Sequence, residues 1–164
     1  MRLKNVKNKD IIIESNKNII KNKNELKNKW NKEFKNNNPI EIEIGMGKGN
    51  FLINKAKDNK NINYIGIEKY ASVIVRAIQK IENIPNLKLL NMDALELENV
   101  FGKEINKIYL NFSDPWPKRR HQERRLTSPR FLKIYENISK NMTHIEMKTD
   151  NRELFDYSLK QFKK

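Results

Sequence analysis

The chain has 164 residues, of which 37% are hydrophobic and 33% charged, with no cysteine and two histidines. This length suits one domain with a core of its own. The composition excludes a disulfide scaffold, a thiolate or His-rich metal site and a cysteine nucleophile, and no apolar run is long enough for a membrane span. Because the first residues are polar, we expect no secretory signal. A cytoplasmic protein without a bound metal is the prediction.

Basic residues exceed acidic residues by 14, and the excess is concentrated in two segments. Residues 1–38 carry a net charge of +7 and residues 118–130 a net charge of +5, so the rest of the chain is nearly neutral. Lys and Asn crowd the whole chain, and this bias explains most of the first excess. The second segment is built mainly from Arg. Two basic patches on a neutral body favour a polyanionic partner, either nucleic acid or an anionic membrane surface.

The first 38 residues contain neither Pro nor Gly and predict a mobile basic arm. Leu26, Trp30 and Phe34 recur every four residues, which predicts one short amphipathic helix that docks on the domain. We therefore divide the chain into an arm, residues 1–38, and a domain, residues 39–164.

From residue 39 onward, strand patterns alternate with helical ones. Helices are predicted after residues 49, 70, 128 and 150, and strands near residues 40–44, 64–67, 87–90, 108–112 and 145–147. This alternation predicts an α/β fold, a mostly parallel sheet with helices on both faces.

Chemically informative residues fall where the predicted strands end. In an open α/β sheet, ligands bind beyond the carboxyl ends of the strands. The residues at these ends are three glycines and three carboxylates, namely Gly45, Gly47, Gly49, Glu68, Asp93 and Asp114. Their coincidence at four strand ends predicts one ligand site.

The glycine turn favours one class of nucleotide site over two others. A P-loop requires Ser or Thr after its Lys, whereas Lys48 is followed by Gly49. A dinucleotide turn has the spacing G-x-G-x-x-G, and this turn has G-x-G-x-G. That spacing is the one of S-adenosylmethionine loops, which often carry a preceding acidic residue, here Glu43. An ordinary turn after a buried strand remains an alternative.

The carboxylates at the next two strand ends suit a nucleoside. Glu68 lies 19 positions after Gly49, close to the offset of about 20 at which an acidic residue accepts hydrogen bonds from ribose hydroxyls. Asp93 is placed to lie beside an adenine. The alternatives are a solvated carboxylate at Glu68 and a turn or helix cap at Asp93.

The segment after the fourth predicted strand reads Asp114-Pro115-Trp116-Pro117. The prolines restrict the backbone, Trp116 offers a flat apolar face, and Asp114 accepts from ring N–H and amino groups, which together suit a planar base. The alternative is a Trp that packs on the loop, with Asp114 as its turn cap. The Arg-rich run that follows, residues 118–125, suits phosphate oxygens.

These residues resemble the bacterial tRNA (guanine-N7-)-methyltransferase family from about residue 25 to the end. The most specific block is residues 110–118, LNFSDPWPK, and further matches are Lys29-Trp30 and residues 43–49, 64–68, 120–125 and 148–152. The resemblance implies a Rossmann-like class I methyltransferase fold with S-adenosylmethionine as cofactor. It also implies tRNA as partner, methyl transfer to N7 of guanine 46 in the variable loop, and a monomer or homodimer.

The resemblance also implies roles for individual residues. The cofactor site would include Asp114, the catalytic residue, together with Glu43, Gly45, Gly47, Gly49, Glu68 and Asp93. The substrate would be contacted by Lys118 and Asp150, and the RNA by the run that contains Arg120, His121, Arg124 and Arg125. Taken alone, Asp150 also fits the N-cap of the last helix, with Glu153 completing a capping box.

The chain departs from the family pattern in two places. A Lys-Pro-Gly-Gly-like turn before the fifth strand reads Lys140-Asn141-Met142-Thr143, and the chain ends at Lys164, before the family's further strands and its Thr-Glu-Tyr-Glu segment. We therefore expect the fold without those C-terminal strands. Two other functions remain open: a non-catalytic RNA-binding remnant that keeps the cofactor pocket, and a methyltransferase for proteins or small molecules, which accounts poorly for the Arg run.

Overall fold

The computed structural model describes residues 6–164, except for the side chain of Met142. The strands are β1 (Ile40–Ile44), β2 (Asn63–Glu68), β3 (Leu87–Asn91), β4 (Ile105–Asn111) and β5 (Ser139–Lys148). The α-helices are α1 (Lys9–Ser15), α2 (Trp30–Phe34), α3 (Asn50–Asp58), α4 (Ala71–Ile78), α5 (Leu97–Val100), α6 (Pro129–Ile138) and α7 (Arg152–Phe162). Short 3-10 helices cover Lys23–Glu25, Ala94–Glu96 and Arg119–Arg124. None of the helices in this part of the chain is long and apolar enough to cross a membrane.

The strands form one parallel sheet in the order β3-β2-β1-β4-β5. The chain runs outward from β1 through β2 to β3, and then crosses back to β4 and β5 on the other side of β1. The order therefore reverses between β1 and β4, which is the point where open α/β sheets bind ligands. The predicted α/β fold with a parallel sheet is confirmed.

Helices cover both faces of the sheet, as predicted. One core cluster joins Ile42 and Ile108 of the sheet to α2, α5 and α6, and a second joins Tyr64 and Leu89 to α3 and α4. Ile42 and Ile108 are completely buried, and burial of such a side chain contributes about 1.5–3 kcal/mol. The sheet is thus a rigid base from which the strand ends project.

The short helix predicted within residues 1–38 is present as α2, and it docks on the domain as expected. Trp30 is completely buried in the larger core, where its indole Nε1 donates a hydrogen bond to the carbonyl oxygen of Val100 at 2.8 Å. Ile19 pairs with Leu89 at the edge of β3 and is also buried. The apolar positions of this Lys- and Asn-rich segment therefore complete the domain. Residues 1–5 of the predicted arm lie outside the described residues.

Candidate active site

A cavity of about 740 Å³ opens at the carboxyl ends of the strands, a size typical of small-molecule sites. Its wall includes six residues that the sequence analysis placed in the site: Gly45, Glu68, Asp93, Asp114, Trp116 and Arg124. The other predicted site residues lie outside this wall: Glu43, Gly47, Gly49, Lys118, Arg120, His121, Arg125 and Asp150. The structure thus brings the four strand ends together around one space.

The glycine turn is open on one side and packed on the other. Gly45, Gly47 and Gly49 have φ angles of +74°, +58° and +80°, in the left-handed region that glycine tolerates best. A Cβ atom at Gly45 or Gly47 would meet no atom within 4 Å, whereas one at Gly49 would stand 3.1 Å from the Cβ of Ala77. The first two glycines therefore leave room for a ligand, and the third allows α3 and α4 to pack.

Glu68 links the glycine turn to the start of α4. Its Oε1 accepts a hydrogen bond from the backbone N–H of Gly47 at 3.1 Å, and its Oε2 accepts one from the backbone N–H of Tyr70 at 2.9 Å. The side chain is buried, which excludes the solvated carboxylate considered above. Each oxygen keeps a further lone pair for a ligand hydroxyl at the cavity wall.

Asp93 has the cap geometry and also lines the cavity. Its Oδ1 accepts from the backbone N–H of Leu95 at 2.9 Å, and its Oδ2 lies 3.4 Å from the Nζ of Lys69. The exposed side chains of Tyr70 and Leu95 flank it in the cavity wall. Neither residue was among the predicted site residues.

Glu43 and Asn111 form a buried polar pair at the ends of β1 and β4. The Oε2 of Glu43 accepts a hydrogen bond from the Nδ2 of Asn111 at 2.8 Å. Among the described residues, three buried side-chain oxygens lack a hydrogen-bond partner, and two of them are Glu43 Oε1 and Asn111 Oδ1. The pKa of Glu43 is raised to about 7, mainly by burial, with an opposing effect from the hydrogen bond of Asn111 and a smaller increase from the charge of Glu68. The pair thus offers two unused acceptors, of which sequence reasoning identified only Glu43.

The loop after β4 exposes a carboxylate and holds an aromatic ring in place. Asp114 is exposed in the cavity wall. The guanidinium of Arg124 lies 5.1 Å from the centroid of the Trp116 ring, and the ring of His121 meets it edge-on at 5.7 Å. Trp116 therefore packs against the following 3-10 helix, as one part of the alternative expected, and it lines the cavity together with the exposed Asp114.

Arg125 contradicts the predicted RNA contact at that position. It is 1% exposed, and its Nε and Nη2 donate to the carbonyl oxygens of Pro115 and Trp116 at 2.8 and 3.1 Å. The Nη2 also donates to Glu153 of α7 at 3.2 Å, and the guanidinium lies 4.6 Å from the ring centroid of Tyr157. Because the 3-10 helix ends before Arg125, this side chain turns into the protein. Arg125 joins α7 to the loop that carries Asp114.

The other cations of the run face solvent. Lys118, Arg120 and Arg124 are exposed on or beside the 3-10 helix Arg119–Arg124. Partial burial, followed by the charges of Arg124, Arg120 and Lys118, lowers the pKa of His121. The neighbouring cations thus oppose a further positive charge on the ring that contacts Trp116.

The start of α7 differs from the predicted capping box. Asn151, not Asp150, is the N-cap residue, and its side chain accepts from the backbone N–H of Leu154 at 2.9 Å. Glu153 binds Arg125 instead of closing a box. The exposed Asp150 is thus free of a capping role, and its contact with substrate stays a prediction.

Solved structures share this fold at low sequence identity. A structure described as an antibiotic-related methyltransferase superposes with a TM-score of 0.66 and 16% identity, covering 83% of this chain and 72% of that one. The aminoglycoside resistance methyltransferase NpmB1 gives a TM-score of 0.63 and 16% identity, over 83% of this chain and 66% of that one. The predicted Rossmann-like class I methyltransferase fold is confirmed.

Sequence comparison is more specific. The family model described as "Putative methyltransferase" matches residues 37–164. The tRNA (guanine-N(7)-)-methyltransferase of Lachnoclostridium phytofermentans is 50% identical over 98% of this chain and 77% of its own length. The protein of the same name from Bacillus subtilis is 53% identical over 93% of this chain and 73% of its own length. The chain belongs to the tRNA (guanine-N(7)-)-methyltransferase family.

Proposed function

We propose that this chain transfers a methyl group from S-adenosylmethionine to N7 of a guanine in tRNA. The observation that carries the proposal is the shared cavity: Gly45, Glu68 and Asp93 lie in one wall, and Asp114 lies in the other. The position of the guanine, number 46 in the variable loop, rests on the family resemblance alone. With tRNA as the substrate, the site of action is the cytoplasm.

The residues present fit S-adenosylmethionine. Open space beside Gly45 and Gly47 admits a ligand close to the backbone, and Glu68 offers acceptors for ribose hydroxyls. Glu43 Oε1 and Asn111 Oδ1 are buried acceptors without a partner, which are rare in folded proteins. These two oxygens would accept hydrogen bonds from the ammonium group at the methionine end of the cofactor.

The proposed reaction does not require Asp114 to remove a proton. S-adenosylmethionine supplies an electrophilic methyl group when bound. Because N7 of guanine carries a lone pair and no proton, Asp114 does not have to act as a base. The purine gains positive charge during transfer, and a carboxylate in the same cavity stabilises that charge. Asp114 therefore orients the base and balances its charge, and positioning supplies much of the rate.

The exposed cations next to the cavity support an RNA substrate over a small molecule. Arg124 is in the cavity wall, and Lys118 and Arg120 lie close to it in the chain, so a polyanion that crosses this surface passes the cavity. Arg binds phosphate oxygens through its planar fork. The burial of Arg125 reduces this predicted surface by one cation but also fixes the loop beside it.

The proposal is tested by incubating the chain with bulk tRNA and methyl-tritiated S-adenosylmethionine, followed by digestion and mass spectrometry of the nucleosides. We expect 7-methylguanosine from tRNA and no label on a mixture of proteins and small molecules. Asp114→Asn is the matched control, since it keeps size and shape. Binding of tRNA and S-adenosylhomocysteine without any methyl transfer would favour the non-catalytic RNA-binding alternative. Label on the other substrates would favour the third function.

A further inference from the structure

Phe112 combines two unfavourable properties in the cavity wall. It is 66% exposed, although a large aromatic side chain normally gains free energy from burial. Its φ is +52°, in the left-handed region that residues other than glycine rarely occupy. Residues that combine exposure with backbone strain are concentrated at functional sites.

The conformation of Phe112 is fixed by the backbone and not by its side chain. Its N–H donates to the carbonyl oxygen of Lys148 at 2.8 Å, which extends the pairing of β4 with β5 by one residue. Within residues 6–164, the ring of Phe112 makes no aromatic or cation–π contact. The ring is therefore held at the cavity and is largely exposed to it.

Trp116, four residues later, provides the contrast. It also has a left-handed φ, of +45°, but it is only partly exposed, and its ring already contacts Arg124 and His121. Its carbonyl oxygen is bound by Arg125. Of the two aromatic rings that this loop contributes to the cavity wall, Trp116 contacts a cation and a second ring, whereas Phe112 is the more exposed of the two.

We infer that Phe112 is the surface on which the target guanine stacks, and that Trp116 supports the loop. This inference rests on the function proposed above. A guanine stacked on Phe112 lies beside the carboxylate of Asp114, two residues away, so that one loop both holds the base and balances its charge. The interaction strengthens during the reaction, because the methylated purine is cationic and the face of an aromatic ring attracts cations.

The test compares Phe112→Leu with Phe112→Tyr in the full chain, with Phe155→Leu as the matched control. Phe155 is an exposed phenylalanine on α7, outside the cavity wall. The readouts are single-turnover methyl transfer to tRNA and the affinity for 7-methylguanosine 5′-monophosphate with S-adenosylhomocysteine present. Loss of a base-stacking contact predicts a decrease of roughly 5- to 100-fold in both readouts for Phe112→Leu. Phe155→Leu should match the parent, and Phe112→Tyr, which keeps an aromatic ring, should retain more of both readouts than Phe112→Leu.

Phe112→Gly separates stacking from a structural role. Glycine adopts a left-handed φ without strain, so the thermal unfolding midpoint of Phe112→Gly should equal or exceed that of the parent. The methyl-transfer rate and the nucleotide affinity should nevertheless fall as in Phe112→Leu. A midpoint that falls together with the rate would overturn the inference, since the ring would then be a packing element. Equal rates and affinities for the parent and Phe112→Leu would also overturn it and leave the proposed function intact. A parent that neither methylates tRNA nor binds the nucleotide would overturn both.

Discussion

The two walls of the cavity are anchored by opposite charges. On the side of β2 and β3, carboxylates accept hydrogen bonds from backbone N–H groups: Glu68 from Gly47 and Tyr70, and Asp93 from Leu95. On the side of β4 the relation is reversed, because the buried cation of Arg125 donates to backbone carbonyl groups after Asp114. Following the function proposed above, we call these the cofactor wall and the substrate wall.

The two walls also differ in what maintains their backbone conformations. The cofactor wall is supported by strand ends and glycines, whose conformations are relaxed. The substrate wall contains two aromatic residues with left-handed backbones and depends on Arg125, which also binds α7 through Glu153. Local strain of this kind persists only when surrounding contacts maintain it. The substrate wall is therefore the one whose geometry depends on distant parts of the chain.

The largest expected effect is on the substrate wall, at Asp114. Asp114→Asn keeps the size and one acceptor but removes the charge that balances the methylated purine. Loss of a transition-state interaction of this type lowers the rate by about 10²–10³-fold. Single-turnover methyl transfer with tRNA and cofactor both saturating measures it, and tRNA affinity should barely change. A variant within a few-fold of the parent at every pH would remove Asp114 from the mechanism.

The next effect is on the cofactor wall, behind which Glu43 lies. Glu43→Gln keeps the shape of the side chain. The side-chain amide of Asn111 can rotate so that its Oδ1 accepts a hydrogen bond from the new amide. The variant loses a charge-assisted hydrogen bond, so S-adenosylhomocysteine affinity should fall by about 10- to 100-fold. Calorimetry at pH 7.5 measures this. Unchanged affinity would show that the cofactor's ammonium group does not reach Glu43.

The same substitution should increase stability at alkaline pH. The pKa of Glu43 rises from 4.5 to about 7 on folding, so the folded protein keeps a proton that the unfolded chain releases between these values. The free energy of unfolding attributable to Glu43 therefore decreases as pH rises through this window, by up to about 3 kcal/mol. The unfolding free energy of Glu43→Gln minus that of the parent should therefore increase from pH 5 to pH 8, as measured by chemical unfolding at both pH values. An equal difference at both pH values would contradict the burial argument.

Arg125 tests whether the substrate wall depends on its buried cation. In Arg125→Lys the ammonium cannot bind both carbonyl groups and Glu153 at once, so unfolding free energy should fall by about 1–3 kcal/mol. Arg119→Lys is the control, since this exposed residue of the same run should leave stability unchanged. Equal stability of the two variants in chemical unfolding would show that the loop is held by other contacts.

The sequence predicts the cofactor wall better than the substrate wall, for a physical reason. Strand ends, a glycine turn and helix starts are local features, and they are sufficient to predict that Gly45, Glu68 and Asp93 meet at one edge of the sheet. Whether Arg124 or Arg125 faces solvent depends on where a 3-10 helix ends and on contacts with α7, neither of which has a local pattern. For the same reason, the pairing of Ile19 with the edge of β3 is not visible within a Lys- and Asn-rich segment.

The smallest effect concerns the two adjacent arginines, whose identical chemistry makes them the sharpest comparison. Arg124 is exposed and Arg125 is buried, so only Arg124 can release counterions from tRNA. Arg124→Gln should lower the log–log salt slope of tRNA binding by about 0.7–0.9 for one lost phosphate contact, with a modest loss of affinity. Arg125→Gln, the same change at the buried position, should leave this slope unchanged while it lowers stability. Titrations of both variants over a range of salt concentrations measure the slopes. A lower salt slope for the Arg125 variant and an unchanged slope for the Arg124 variant would contradict this expectation. It would mean that RNA contacts Arg125, which this structure buries, and that the substrate wall must rearrange on binding.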